Sequence, residues 1–159
     1  MSRLATLAVL SALACLPVGA FAIEVVTIVT PTDVEVKPRA STRIMLRVAV
    51  KPGYHVQANP VENPSLIPIT LTIDPTAELS VGEPHYPPAK RLRLPGDSQD
   101  LVVYDGTFAI AIPLAAGGDV AGGTKVALKG SLRYQACDDS HCLFPVTLPV
   151  AFVVKVVQP

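Results

Sequence analysis

The residues best suited to chemistry lie near the C-terminus, in Y-Q-A-C-D-D-S-H-C-L-F-P, Tyr134 to Pro145. Cys137 and Cys142 stand there with four residues between them, and the only other cysteine, Cys15, is far upstream. Three chemistries suit such a pair. The first is a structural disulfide, but so short a loop removes little freedom from the unfolded chain, contributing about 2 kcal/mol. The second is a metal clip from Cys137, His141 and Cys142. A closed zinc site wants four ligands, and no fourth lies nearby in sequence; His55 would have to be brought in by the fold. The third is thiol–disulfide exchange. Asp138 and Asp139 place two carboxylates beside the sulfurs, and negative charge disfavours a thiolate. Such a pair would act as a relay attacked by a stronger thiol, not as a strongly activated nucleophile. Aspartates here are equally good turn formers.

The elements around the pair must hold it in register. Tyr134 to Cys137 reads as the end of one strand and Leu143 as the start of the next, joined by a tight Asp138-Asp139-Ser140-His141 connection. Directly opposed residues of an antiparallel pair have Cα atoms about 4.5 Å apart. That is the short edge of what a disulfide spans, so a bridge can close. An exposed bridge at a hairpin tip belongs with the labile, exchanging kind.

Period-two alternation runs through the rest of the chain. Ile44, Leu46, Val48 and Val50 share one face, against Arg43, Met45 and Arg47. Similar registers cover Ile67 to Ile73, Phe108 to Leu114, Val126 to Tyr134 and, longest, Val146 to Val156. Val25 to Thr30 and Val34 to Lys37 add short strands. Half-buried strands produce this pattern. Lys51-Pro52-Gly53, Asp105-Gly106 and Ala116-Gly117-Gly118 punctuate it as turns. Sixteen prolines, all but one beyond the first 22 residues, disfavour long helices. The pattern predicts an all-β fold, an immunoglobulin-like antiparallel β-sandwich. A domain of this size needs no staple to fold. Glu83 to Asp100 is too polar and proline-rich for a core strand and reads as a long loop. Such loops are often functional, and this one could form a lid over the cysteines with Tyr86 shielding them.

Residues 1–22 read as a secretory signal peptide: Arg3, an apolar run Leu4 to Val18, and a small-x-small site at Ala20-Phe21-Ala22. Residues 23–159 form the domain. Cys15 allows a lipoprotein as the alternative. Without Arg3 the chain carries 12 basic against 13 acidic residues. No basic cluster argues for nucleic acid, and no later apolar stretch approaches the ~20 residues of a membrane span. Export places the two remaining cysteines where disulfides persist.

The cysteine stretch resembles the active-site hairpin of the N-terminal periplasmic domain of the DsbD thiol:disulfide interchange family. K-P-G-Y-H-V-Q-A-N-P, Lys51 to Pro60, is similar to that family's G-Y/W-H motif. S-L-I-P-I-T-L-T, Ser65 to Thr72, and V-V-Y-D-G, Val102 to Gly106, match two further blocks. The resemblance implies an immunoglobulin-like sandwich with Cys137 and Cys142 as a redox pair at one end. It implies Tyr54 and His55 beside that pair, though residues there could equally be a strand-end aromatic and a solvated histidine. Some members shield the cysteines with a phenylalanine-bearing cap loop; Glu83 to Asp100 has no Phe, and Tyr86 beside His85 would take its place. The implied activity is periplasmic relay of reducing equivalents, without organic cofactor or metal. The implied donor is membrane-embedded, on a separate protein because this sequence ends at Pro159. The implied clients are periplasmic disulfide isomerases or thioredoxin-like factors of cytochrome c maturation, with the domain acting as a monomer. A non-enzymatic binding or assembly sandwich with a structural bridge is the rival reading.

Overall fold

The computed structural model describes residues 24–94 and 99–158. The expected signal peptide and Cys15 lie outside the described residues. Twelve strands form three four-stranded sheets among those residues. The first sheet orders β1 (Val26–Val29), β3 (Ser41–Val50), β9 (Thr107–Ala116) and β6 (Leu79–Val81). The second orders β2 (Val34–Val36), β12 (Val146–Val156), β10 (Lys125–Tyr134) and β5 (Thr70–Ile73). The third orders β11 (Ala136–Cys137), β4 (His55–Gln57), β8 (Leu101–Tyr104) and β7 (Lys90–Leu92). Among the described strands every ladder is antiparallel except β2 with β12. The expected all-β, immunoglobulin-like sandwich is the architecture found.

The long strands bury the faces their alternation predicts. Leu46, Ile110 and Ile112 of the first sheet and Leu128, Leu132 and Val154 of the second join one core cluster, while Arg43, Met45 and Arg47 face water. Each such side chain taken from water stabilises the fold by roughly 1.5–3 kcal/mol.

Several expectations need correction. The run Ile67 to Ile73 is a strand only from Thr70. Pro68 has no N–H to give a ladder, and Ile69 instead bonds Gln57 O through its N–H at 2.9 Å, keeping its side chain in the core. Val146, expected on the buried register, is 40 % exposed at the open end of β12. Asp105-Gly106 is the expected turn between strands, and it carries the chain from β8 in the third sheet to β9 in the first, with Gly106 at φ 59°. The segment Glu83 to Asp100 is not simply a loop. His85 exchanges two backbone hydrogen bonds with Ala111, at 2.8 and 2.9 Å, and Lys90 to Leu92 form the edge strand β7. Polar residues suit an edge, where one side of the strand faces solvent. Arg91 pairs Glu62 at 2.8 Å and Lys90 pairs Asp105, both as exposed ion pairs. Residues 95–98 of the segment lie outside the described residues.

Candidate functional site

β10 and β12 pair to the last rung, Tyr134 with Val146. The cysteines flank the tight Asp138–His141 turn as expected, opposed in an antiparallel bridge, but that turn does not join β10 directly to β12. They lie on an excursion, residues 135–145, that leaves the second sheet and adds β11 to the edge of the third. The excursion is held independently of any bridge. Leu143 N–H donates to Ala136 O at 2.8 Å, and Asp138 N–H to His141 O at 3.0 Å. The Asp138 carboxylate accepts from the N–H groups of Ser140 and His141, at 2.7 and 2.9 Å. That is the local turn chemistry of aspartate. These two bonds, the first of them from His141, hold the Asp138 carboxyl below its ordinary range. His141 Nδ1 lies 3.4 Å from the same carboxylate on the exposed side of the turn.

Cys137 and Cys142 are joined in a disulfide across this turn, their Cα atoms 3.9 Å apart. The two sulfurs have different surroundings. Cys137 is 2 % exposed, on a strand of the third sheet, whereas Cys142 is on the open surface. Two residues beyond Cys142, Phe144 is 92 % exposed, a large apolar ring with almost nothing packed on it.

The third sheet brings His55 to the pair. Cys137 lies opposite His55 in the β11–β4 register, so their side chains leave the same face. His55 is not solvated: it is 4 % exposed. Burial pushes its pKa below the ordinary 6.5, with the negative charges of Asp139, Asp105 and Asp138 acting in the opposite direction. Tyr54, half-buried, packs against the core and shares a surface cavity with His55, Leu92 and Asp139. Two residues along β4, on the same side as His55, is a residue the sequence reading missed. Gln57 Nε2 lies 3.9 Å from Cys137 Sγ as a donor. Only the period-two rule applied to H-V-Q could have pointed to it.

Tyr86 is anchored on the second sheet. Its hydroxyl accepts the Leu71 N–H at 2.9 Å, and burial raises its pKa. The part of Glu83 to Asp100 that shares the cavity beside His55 and Asp139 is Leu92, at the end of β7.

Burial of His55 sets a pH dependence. A histidine held below its unfolded pKa binds fewer protons when folded, so the unfolded state gains as pH falls through about 6.5. The associated stability is whole above that pH and is lost progressively below it. Urea midpoints at pH 7.5 and 5.5 should therefore differ more in the wild type than in His55→Gln. An equal drop in both proteins would contradict this.

A β-sandwich with a disulfide at the rim of one sheet, one cysteine exposed and the other buried, defines the structural class, and comparison with known proteins gives the family. The model of the N-terminal domain of thiol:disulfide interchange protein DsbD matches residues 26–153, and the chain belongs to that family. Thiol:disulfide interchange is the general activity the family brings to this fold. The Neisseria meningitidis DsbD N-terminal domain, in its reduced form, is similar at 20% identity and TM-score 0.48, over 74% of this chain and 82% of that one. The N-terminal periplasmic domain of ScsB from Proteus mirabilis is similar at 14% identity and TM-score 0.51. That match covers 82% of this chain and 45% of the ScsB chain, so this chain spans less than half of it. At 14% identity the likeness to the ScsB domain is one of fold. No curated protein sequence matches the chain.

Proposed function

We propose that this protein is a periplasmic exchange module, exported by the signal peptide in residues 1–22, that relays reducing equivalents through Cys137 and Cys142. The observation that carries the reading is the asymmetry of the bridge: Cys142 exposed, Cys137 buried in the sheet. A thiolate attacks a disulfide sulfur it can reach, and that is Cys142. The rival staple reading is weakened by the backbone bonds that already close the turn.

A partner thiolate attacks Cys142 Sγ; the Cys137–Cys142 bond breaks and its electron pair leaves on Cys137. The partner's second thiolate then attacks its own sulfur in the mixed disulfide and releases Cys142. The partner is oxidised and the pair reduced by two electrons. In the forward direction Cys142 attacks an oxidised client, and Cys137 then attacks Cys142 Sγ, expelling the client as a thiol and restoring the bridge. A membrane-embedded protein of the DsbD type is the proposed donor. Periplasmic disulfide isomerases or thioredoxin-like cytochrome c maturation proteins are the proposed clients, which makes the protein a component of a protein-disulfide reductase chain.

The reading is tested by mixing the oxidised protein with a reduced thioredoxin-like protein, quenching with acid and counting alkylated cysteines by mass. Two newly alkylated cysteines are expected; none would contradict it. Phe144 adds a second arm. Any protein thiol that reaches Cys142 must lie against the neighbouring surface, and aromatic rings are favoured contact anchors. Phe144→Ser should slow exchange with the protein thiol several-fold, leaving reduction by glutathione and the unfolding midpoint unchanged. Equal slowing with both thiols would remove Phe144 from docking.

A further inference from the structure

The described residues contain two buried side-chain polar atoms without a hydrogen-bond partner, His55 Nε2 and Gln57 Oε1. Both belong to β4, the strand paired with Cys137. Gln57 is 1 % exposed, and its amide Nε2 meets Cys137 Sγ at 3.9 Å. Buried polar groups are otherwise almost always paired, since an unpaired one costs about 1–3 kcal/mol. Gln57 Oε1 is an acceptor and has nothing to give a sulfur; the group of this pair of residues that faces Cys137 as a donor is the Gln57 amide Nε2, while His55 stands opposite Cys137 in the register.

The oxidised sulfur engages that donor only at 3.9 Å, because a disulfide sulfur carries no charge and accepts hydrogen bonds weakly. Charge arrives only in the reaction. When an incoming thiolate forms its bond to Cys142 Sγ, the pair from the broken bond moves onto Cys137 Sγ. That sulfur is buried, so water does little to solvate it, and an unsolvated anion is strongly disfavoured. The groups that bear on it are few. Asp138 and Asp139 on its own turn and Asp105 at the end of β8 act by charge on His55, directly across the register, and oppose a thiolate. From β4 the only neutral polar groups are the Gln57 amide and the imidazole of His55.

We propose that Gln57 is a catalytic residue of the exchange, donating its amide N–H to the thiolate that forms on Cys137, with the buried His55 imidazole completing the polar wall. The arrangement is a small anion hole, built in advance for charge that appears in the transition state and weakly engaged before it. A hydrogen bond to an anion is about twice as strong as one to a neutral acceptor, so the contact favours the thiolate over the thiol. It makes Cys137 a better leaving group and keeps it deprotonated for its later attack on Cys142.

The inference rests on the exchange reading, and the test separates the two. In a Cys15→Ser/Cys142→Ala background, Cys137 is the sole thiol, and its thiolate absorbance at 240 nm is titrated with and without Gln57→Leu. This arm needs no partner and no exchange. Loss of the donor should raise the Cys137 pKa by about one unit, the scale of a hydrogen-bond effect on an ionised group. In the two-cysteine protein, Gln57→Leu should slow glutathione reduction by a similar factor, about tenfold. Should the leucine variant not fold, Gln57→Met keeps the unbranched shape and serves the same test. An unchanged Cys137 pKa overturns the proposal even if exchange is fast. A raised pKa with slowed glutathione reduction supports it, even if the protein-thiol assay shows no exchange and the exchange reading itself fails.

Discussion

Cys137→Ala is expected to accumulate a stable mixed disulfide with a thioredoxin-like partner, and Cys142→Ala is expected to trap nothing. The difference follows from burial. Without Cys137, the exposed Cys142 can still form a bond to a partner sulfur, but no second cysteine of the chain remains to resolve it. Without Cys142, the remaining thiol is in the sheet, 2 % exposed, where a protein sulfur does not reach. Catalytic exchange is abolished in both. Neither variant should unfold, because closing so short a loop contributes about 2 kcal/mol against the 5–15 kcal/mol typical of a domain. Non-reducing gels and thermal unfolding read the two outcomes. Equal trapping by both variants would contradict the assigned order of attack, and a variant unfolded at 25 °C would make the bridge a staple.

The second large effect is on stability. Gly130 is paired with Ile73 where β5 joins β10, and the strands approach closely there. A Cβ on Gly130 would lie 2.1 Å from Thr72 O and 3.0 Å from Ile73 Cα. Both are backbone atoms that cannot turn aside, so the strand must move. Gly130→Ala should cost about 3 kcal/mol, the upper part of the range for overpacking, visible as a lowered urea midpoint. The neighbouring Ser131→Ala, at a half-buried position of the same ladder, should change it little. A Gly130→Ala protein as stable as the wild type would mean that β5 is free to shift away from β10.

The parts of this account legible in the sequence were those with one wet and one dry face. β3, β9, β10 and β12 each run ten or eleven residues, long enough for alternation to stand out. β4 has only three residues, all buried, so H-V-Q shows no alternation and was not read as a strand. β7 hid for the opposite reason: at an edge, Lys90 and Arg91 are exposed and give no apolar signal. The cysteine pair was legible by spacing and neighbours. Its asymmetry was not, because exposure depends on which sheet receives β11, and that is a matter of tertiary pairing. The bareness of Phe144 was not legible either, because only packing shows it.

The most direct measurement for the central claim is the reduction potential of the Cys137–Cys142 bridge, from equilibration in glutathione buffers. Structural disulfides of secreted proteins fall below about −300 mV and resist the glutathione pool. A relay must be reduced and reoxidised, so the account predicts a value clearly above that limit, with both redox forms folded. A value below about −300 mV would contradict it and leave the bridge as a staple.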